Sequence, residues 1–449
     1  MNSQSATPRY TFPTAAGLAL EAVFDGGRLT SDGGLPWLAQ ADALLGLCAR
    51  LARALPERRT RHIRYALDSL VRQRVFQIAC GYADQNDADT LRTDPLLKLV
   101  CGKLPESGPN LAGQSTFSRL ENSVDRQACR HLAHALLDVY LVAREQHGVP
   151  RHILLDIDST DDPTHGHQEG AAYHGYYRQH QYYPLLVFDG ETDQLIAAIL
   201  RPGTVHGSRG VITVLRMLVR AFRRRWPGVQ VEIRADAAGA TPRIYRFCER
   251  HQIGYTLGLG ANARLAALAA PLLAQAQEQR AATAAEKVRL CGETTYQADS
   301  WDRARRVVYK TEALAKGPNV RFVVTSRTDA PTDLYDWYVD RGTPELWIKD
   351  VKLACFADRL SDHRFWANQC RLFLHAAAYW LLDTLRRWLT ARGLPHLQLD
   401  TLRLQLLKIG GRVREGLHRM QLHLASSHPG QVLWALLALP PPDRAQTYR

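Results

Sequence analysis

Hydrophobic residues recur every three to four positions through the first third of the chain. This spacing predicts helices, because it places apolar side chains on one helical face. The predicted helices span Trp37–Leu55, Thr60–Gly81 and Asp125–His147. Residues 1 to about 35 lack the pattern, and two Gly-Gly pairs there are typical of turns. We therefore interpret residues 1–149 as a mainly helical region.

After Pro150 the pattern changes to short apolar runs bounded by turn residues, which predict strands. The predicted strands are Arg151–Ser159, Tyr182–Gly190, Asp193–Arg201, Val229–Ala237 and Ile253–Gly260, and the helices between them are Val211–Arg225 and Thr241–His251. Three antiparallel strands followed by alternating helix and strand is the element order of an RNase H-like core. Residues 150–260 are thus predicted to form the first part of such a core.

The remaining chain alternates between helical and β patterns. Residues 261–334 are predicted to hold a helical linker, interrupted near Pro271, and a β-strand insertion over Val288–Ser326. Residues 335–395 would complete the core, and 396–449 would form a helical C-terminal region, with helices at Phe365–Thr390 and Leu399–Leu424. The predicted fold class is an α/β RNase H-like catalytic core with a mixed sheet, interrupted by a β-rich insertion and flanked by helical regions.

Charge narrows the class of partner. The 449 residues carry a formal net charge of +13, which favours a polyanion such as nucleic acid, although an arginine-rich composition alone would give the same balance. Eight scattered cysteines contain no C-x2-C pair, so neither a zinc ribbon nor a disulfide framework is indicated. No P-loop pattern, secretory signal or apolar run of about 18 residues is present. We expect a cytoplasmic protein without a membrane partner.

Four residues in the run YVDRGTPELWIKDVK have a spacing suited to phosphate chemistry. Tyr338, Arg341, Glu345 and Lys352 form the pattern Y-x2-R-x3-E-x6-K, and on an ideal helix they fall within an arc of roughly 60°. Thr343 and Pro344 indicate that the regular helix begins near Pro344, with the tyrosine and arginine on the preceding turn. A solvated amphipathic helix start is the alternative interpretation.

Two aspartates at predicted strand ends add carboxylates to this set. Asp158 and Asp236 end strands that would be neighbours in an RNase H-like sheet. Together with Glu345 they could hold two Mg²⁺ or Mn²⁺ ions for phosphodiester chemistry. Asp156 is a competing first carboxylate, but it lies closer to the strand interior. His165 and His167 offer a second metal interpretation, although a loop with solvent-facing imidazoles is commoner.

These motifs resemble the DDE transposases of bacterial insertion sequences, especially the IS-thirteen-eighty group, a relative of the IS-four group. The similar stretches are LTSDGGL from Leu29, GYADQNDADTLRTDP from Gly81, LAGQSTFSRLEN from Leu111, LDIDST from Leu155, HGYY from His174, LRPG from Leu200, SWDRARRVVYK from Ser300 and LRLQLLKIGGRV from Leu402. The resemblance implies Mg²⁺ catalysis and a multimer, expected to be a homodimer, assembled on the terminal inverted repeats of a transposon before joining to target DNA.

The resemblance also implies that the helical region of residues 1–149 serves DNA binding and assembly, and it implies roles for single residues. Asp158, Asp236 and Glu345 would be the metal ligands, and Tyr338, Arg341 and Lys352 would contact phosphates of the transposon end. Two further residues are candidate DNA contacts. Trp301 could stack on a flipped base or could be a core residue, and Arg119 could face DNA from a helix capped by Ser115 or Thr116, or belong to a plain bundle.

One departure from the family pattern leaves other functions open. After Asp236 the family usually continues Ser-Gly-Phe, whereas this chain has Ala237-Ala238-Gly239-Ala240. The leading hypothesis is cut-and-paste transposition by DNA cleavage and strand transfer. An RNase H-like nuclease would share the carboxylates, and a weakened or domesticated transposase would bind DNA without cutting it.

Overall fold

The computed structural model describes residues 8–59, 61, 63–146, 148–283, 285–342 and 344–440, without the side chains of residues 341 and 344. The chain divides into two compact units, each formed from separate stretches. One consists of Met1–Leu44, Arg59–Ser118 and Leu381–Arg449, and the other of Leu45–Arg58 and Arg119–Trp380. No helix in the described ranges is both long enough and apolar enough to cross a membrane.

The strands and helices are numbered in chain order. The strands are β1 (Arg9–Phe12), β2 (Leu20–Val23), β3 (Leu29–Thr30), β4 (His152–Ser159), β5 (Asp162–Pro163), β6 (Ala172–His174), β7 (Gln179–Tyr182), β8 (Leu185–Asp189), β9 (Leu195–Ile199), β10 (Gln230–Ala235), β11 (Gly254–Leu259), β12 (Lys287–Tyr296), β13 (Arg305–Leu314), β14 (Gly317–Thr325), β15 (Gly411–Glu415) and β16 (Met420–Leu424). The α-helices are α1 (Leu35–Leu45), α2 (Leu47–Ala54), α3 (Leu67–Ala79), α4 (Asp87–Leu91), α5 (Pro95–Val100), α6 (Gln114–Asn122), α7 (Arg126–Glu145), α8 (Val211–Arg225), α9 (Pro242–Arg250), α10 (Ala263–Thr283), α11 (Pro331–Val339), α12 (Pro344–Lys349), α13 (Phe365–Thr390), α14 (Leu399–Leu402) and α15 (Gln431–Ala438).

The unit that contains β4 is built around a mixed sheet. In the described part of the chain its strands follow the order β12-β13-β14-β11-β10-β4-β8-β9. β4 pairs parallel with β10 and antiparallel with β8, and β10 pairs parallel with β11. The predicted pairing of the strands that end near Asp158 and Asp236 is therefore confirmed.

Helices cover both faces of this sheet. Phe188 and Asp189 are consecutive residues of β8, so their side chains point to opposite faces. Phe188 contacts Trp347 of α12 and Tyr379 of α13, with ring centroids 5.3 and 6.4 Å apart. Asp189 accepts a hydrogen bond of 2.7 Å from Tyr140 of α7, whose ring lies 5.9 Å from a phenylalanine ring of α8. Thus α12 and α13 lie on one face, and α7 and α8 lie on the other.

The β-rich segment predicted as an insertion continues this same sheet. β14 pairs antiparallel with β11, with Thr325 opposite Thr256, and β13 and β12 follow in antiparallel order. The long helix before it, α10, contains Pro271 without a break, so the predicted interruption there is wrong.

The other unit contains a small antiparallel sheet of β16, β15 and β3. Gly33 and Gly34 follow β3 and lie against the backbone before β15, where a Cβ on Gly34 would come within 2.2 Å of the Leu406 carbonyl oxygen. Lys408 forms an ion pair of 2.8 Å with the buried Asp32, which ties the same two segments together.

Three predicted elements differ from the structure in this part of the sequence. The helix predicted over Leu399–Leu424 is wrong beyond residue 407, where the chain forms the β15–β16 hairpin. The helix predicted over Trp37–Leu55 breaks at Gly46, whose φ of 60° is left-handed. The N-terminal stretch predicted as irregular contains the β1–β2 hairpin.

Candidate functional site

Asp158 and Asp236 lie side by side at the carboxyl ends of two neighbouring parallel strands. The register places Ile157 of β4 opposite Ala235 of β10, one residue before each aspartate. Asp158 accepts a hydrogen bond of 2.8 Å from the amide of Ser159. Asp236 caps a 3₁₀ turn and accepts a bond of 3.0 Å from the Ala238 amide. Both aspartates line the same small cavity at the strand ends.

The competing carboxylate of Asp156 is committed to an internal ion pair. Its two oxygens accept hydrogen bonds of 2.7 and 2.8 Å from the Arg234 guanidinium, and both side chains are buried. Arg234 also donates to the Trp337 carbonyl oxygen at 2.6 Å. A buried bidentate pair of this kind neutralises the carboxylate, which favours Asp158 as the first acidic residue of the site.

Tyr338 approaches the Asp236 strand from α11. Its hydroxyl group donates a hydrogen bond of 3.1 Å to the carbonyl oxygen of Ala235. A Cβ on Gly258 of β11 would lie 2.8 Å from that hydroxyl oxygen, so glycine leaves the room for this contact. Tyr338 belongs to the last turn of α11. The sequence suggested instead that it would lie on the turn that leads into α12. In this structure it supports the backbone beside Asp236.

Glu345 lies on a helix that covers the aspartate face of the sheet. Its helix, α12, begins at Pro344 as predicted, and Trp347 of the same helix packs against Phe188. Phe188 is opposite Asp156 in the register of the sheet. Asp156 lies two residues before Asp158, so all three side chains are on the same face of the sheet. The Glu345 side chain is itself exposed. Within the described residues, no three His, Cys, Asp or Glu side chains come together to form a metal site.

Lys352 is held beside the loop that follows β4. It lies in a π-helical turn, Asp350–Ala354, and its Nζ donates to Oδ1 of Asp161 at 2.7 Å. Burial opposes ionisation of Asp161, but the hydrogen bond and charge of Lys352 outweigh it and lower the pKa of that carboxyl. The side chain of Arg341 and residue Thr343 lie outside the described part of the chain.

Arg201 and Tyr183 flank the aspartates and were not singled out by sequence reasoning. Arg201 is buried and donates to the Ser159 hydroxyl at 2.6 Å and to the Tyr183 carbonyl oxygen at 2.8 Å. Burial lowers the pKa of Arg201 to about 10. Burial also raises the pKa of Tyr183, and the negative charges of Asp236 and Asp158 raise it further. The signal in the sequence was an arginine directly after an apolar strand, in the run LRPG.

The remaining candidates are Trp301, Arg119, His165 and His167. Trp301 is buried and packs edge-on against Tyr245 and Tyr296, with centroids 5.1 and 5.6 Å apart, so it is a core residue and its predicted stacking surface is covered. Arg119 is exposed on α6, and its DNA contact stays a prediction; α6 begins at Gln114, ahead of both proposed caps. His165 and His167 are exposed.

Comparison with known proteins places the sequence in a family. No protein with curated function matches the chain. A solved structure of a piggyBac transposase, a synaptic complex with hairpin DNA, is similar with a TM-score of 0.42 and 12% sequence identity, over 89% of this chain and 82% of that one. The family model described as transposase DDE domain group 1 matches residues 12–439, nearly the whole sequence. The chain therefore belongs to the transposase family that carries this DDE domain.

Proposed function

We propose that the protein is the transposase of a bacterial insertion sequence of the IS-thirteen-eighty group, and that it acts in the cytoplasm. It would bind the terminal inverted repeats, cleave the DNA there and join the ends to target DNA. The observation that carries the proposal is the placement of Asp158 and Asp236 at the ends of adjacent parallel strands, lining one cavity. The strand order β9-β8-β4-β10-β11 supports an RNase H-like core.

The donor groups fit divalent metal ions in part. Carboxylate oxygens are the ligands that Mg²⁺ and Mn²⁺ prefer, and Asp158 and Asp236 present them at one sheet edge. Glu345 is exposed on the helix that covers that face, and would join the aspartates when the protein engages DNA. Bound metal ions would activate the attacking oxygen and stabilise the leaving oxygen of the phosphodiester.

Lys352 and Arg341 would contact the phosphates of the transposon end. Lys352 already has a carboxylate partner in Asp161, so a phosphate would have to exchange with that carboxylate. Arg341 would act as a second charge clamp. Tyr338 would hold the Ala235 backbone, and through it the position of Asp236. The partners are double-stranded DNA, as transposon ends and target, and a second copy of the chain in a homodimer on DNA.

A DNA-binding derivative without cleavage is the second candidate. The residues after Asp236 favour it, because Ala237–Gly239 forms a short turn that uses the Asp236 carboxylate as its cap. That capping bond engages one carboxylate oxygen, Oδ1. A metal ion would need the carboxylate to keep this orientation while binding through its other oxygen. An RNase H-like nuclease without strand transfer is separated from the transposase by whether the cut end is joined to a second duplex.

The test is cleavage of a duplex that carries the element's end and its flanking DNA. Wild-type protein with Mg²⁺ should nick the junction and join the 3′ end to a second duplex. Asp236→Asn should lower the nicking rate by at least about a thousandfold, because the neutral amide is a poor metal ligand. Asp299→Asn, an exposed acid far along the sequence, is the matched control.

Three results would contradict the proposal. Nicking by Asp236→Asn at the wild-type rate would remove this aspartate from the catalytic site. Specific binding of the end by wild type, without cleavage in either Mg²⁺ or Mn²⁺, would favour the DNA-binding derivative. Nicking without joining would favour the nuclease.

A further inference from the structure

Helices α8 and α9 carry a dense row of exposed arginines. On α8, Arg216, Arg220 and Arg224 are spaced four residues apart, so they follow one another along one side of the helix at intervals of about 6 Å. On α9, the exposed arginines are Arg243, Arg246 and Arg250. We call these six residues the arginine face.

Helices α8 and α9 themselves supply little negative charge to balance these arginines. Helix α8 contains no acidic residue. The one acid of α9, Glu249, is half-buried and accepts bonds from Arg305 at 2.8 Å and Arg303 at 2.9 Å. Within the described residues, none of the six arginines of the face has an ion pair. An ordinary solvated helix surface intersperses both signs of charge, so this surface is suited to an external polyanion.

The two rows form one continuous surface. The Arg216 guanidinium lies 5.7 Å from the centre of the Phe247 ring, so α8 and α9 are in contact. This surface belongs to the sheet face that α7 and α8 cover, opposite α12. Glu345, the proposed third metal ligand, lies on α12 and therefore on the other face, and Lys352, which we assign to the transposon end, is in the turn directly after α12.

The arginine face begins next to the aspartates. Val211 at the start of α8 and Ile244 in the first turn of α9 line the same cavity as Asp158 and Asp236. A Cβ on Gly207, in the loop before α8, would lie 2.5 Å from the Cβ of Ala238, two residues after Asp236. A duplex bound along α8 would therefore pass close to the site of strand transfer.

We propose that the arginine face binds the phosphate backbone of target DNA. This inference rests on the proposed function, and it assigns the target duplex to the sheet face opposite α12. Arginines pair with phosphates in bidentate geometry and carry no base information. The surface would therefore hold duplex DNA of any sequence beside the catalytic edge.

The experiment measures binding of a fluorescent 40-base-pair duplex that lacks the element's end, over a range of NaCl concentrations. The variant Arg216→Ala/Arg220→Ala/Arg224→Ala should bind about tenfold more weakly or worse at low salt. Its plot of log K against log salt should be shallower by about three, since each lost phosphate contact contributes about 0.9. Nicking of the transposon end should stay at the wild-type rate, whereas joining to the second duplex should fall.

Further variants test whether weaker binding could arise from misfolding or from the lower net charge alone. Arg264→Ala/Lys316→Ala/Arg321→Ala removes three exposed cations from α10 and the β13–β14 hairpin, and should bind like wild type. Replacing the three α8 arginines by lysine should restore most of the binding, since the charge returns. The alanine variant should unfold at the same temperature as wild type, because alanine favours helix, and this measurement would show that α8 remains folded.

Three results overturn the assignment. In the first, the alanine variant binds the duplex as tightly as wild type does. In the second, the control variant loses as much affinity for the duplex as the alanine variant. Equal loss of end nicking and duplex binding would make the transposon end the occupant. If the alanine variant loses duplex binding but neither wild type nor any variant nicks the transposon end, the arginine face is a DNA-binding site and the proposed transposase activity is wrong.

Discussion

The two edges of the central sheet use charged residues in opposite ways. At the amino edge, His152 of β4 lies between two carboxylates, with Nδ1 2.7 Å from Glu191 and Nε2 3.5 Å from Glu232. Glu232 also pairs with Arg327 at 2.9 Å, and Glu191 with Arg144 at 3.1 Å. These acids and bases are matched, and together they tie the start of the parallel strands to α7 and to neighbouring loops.

At the carboxyl edge, backbone amides donate to the two candidate metal ligands. Asp158 and Asp236 accept hydrogen bonds from the amides of Ser159 and Ala238. Arg201 donates to the hydroxyl of Ser159, the residue that follows Asp158. Matched charges stabilise a fold, whereas carboxylates fixed by amides keep their capacity for an outside cation. The contrast therefore separates the stabilising edge from the candidate catalytic edge.

The largest effect on stability is expected from the pair that lies between the two edges. Arg234→Met would leave the buried Asp156 carboxylate without its guanidinium, at a cost of about 3–5 kcal/mol in the free energy of unfolding. Urea denaturation measures this cost. Arg234→Met/Asp156→Leu should recover most of it, because no buried charge remains. A double variant as unstable as the single one would show that the arginine acts mainly through its bond to Trp337.

A smaller effect should distinguish the edges directly. Glu232→Gln weakens the contacts to Arg327 and His152, and we expect a loss of about 1–3 kcal/mol in unfolding free energy with DNA nicking retained. Asp236→Asn should do the reverse, with unfolding nearly unchanged and nicking lost. The comparison fails if Glu232→Gln abolishes nicking in a protein that is still folded at the assay temperature.

The smallest effect depends on pH. Hydrogen bonds that the His152 ring donates to Glu191 and Glu232 raise the pKa of His152 to about 9, above its usual 6.5. Since the folded pKa is the higher one, the stabilisation is complete below about pH 6.5 and is lost as pH rises through 9. His152→Gln should therefore cost about 1 kcal/mol or less at pH 6, given the partly exposed ring, and almost nothing near pH 10. Urea denaturation at both pH values tests this, and an equal cost at both would contradict it.

The strongly patterned elements could be predicted from the sequence. Helices α8 and α13 begin and end where their periodicity predicted, and the strands next to Asp158 and Asp236 pair as expected. The hairpin β15–β16 was missed because the leucines before it continue a helical spacing. Gly411 ends that spacing and pairs with Thr30, a partner far away in sequence that no local pattern reveals.

The candidate site could be predicted only as separate residues. The spacing from Tyr338 to Lys352 suggested one face of an ideal helix, but the chain passes through a 3₁₀ turn before α12 and a π turn after it. These turns change the angular phase, so Lys352 points to Asp161 while Glu345 stays exposed. The bond from Arg201 to Ser159 depends on a loop closing over 42 residues, which residue spacing cannot encode.

The sheet continues beyond β11 through β14, β13 and β12. These three strands also change how β11 meets solvent. Without β14, β11 would offer a row of unpaired amides one strand away from Asp236, and such an edge invites pairing with other chains. β14 covers that row, and the outermost strand becomes β12, which carries Lys287, Arg289 and Glu293. Charged outer strands resist edge-to-edge association. The amides of β11 should consequently be among the slowest in the protein to exchange with deuterium.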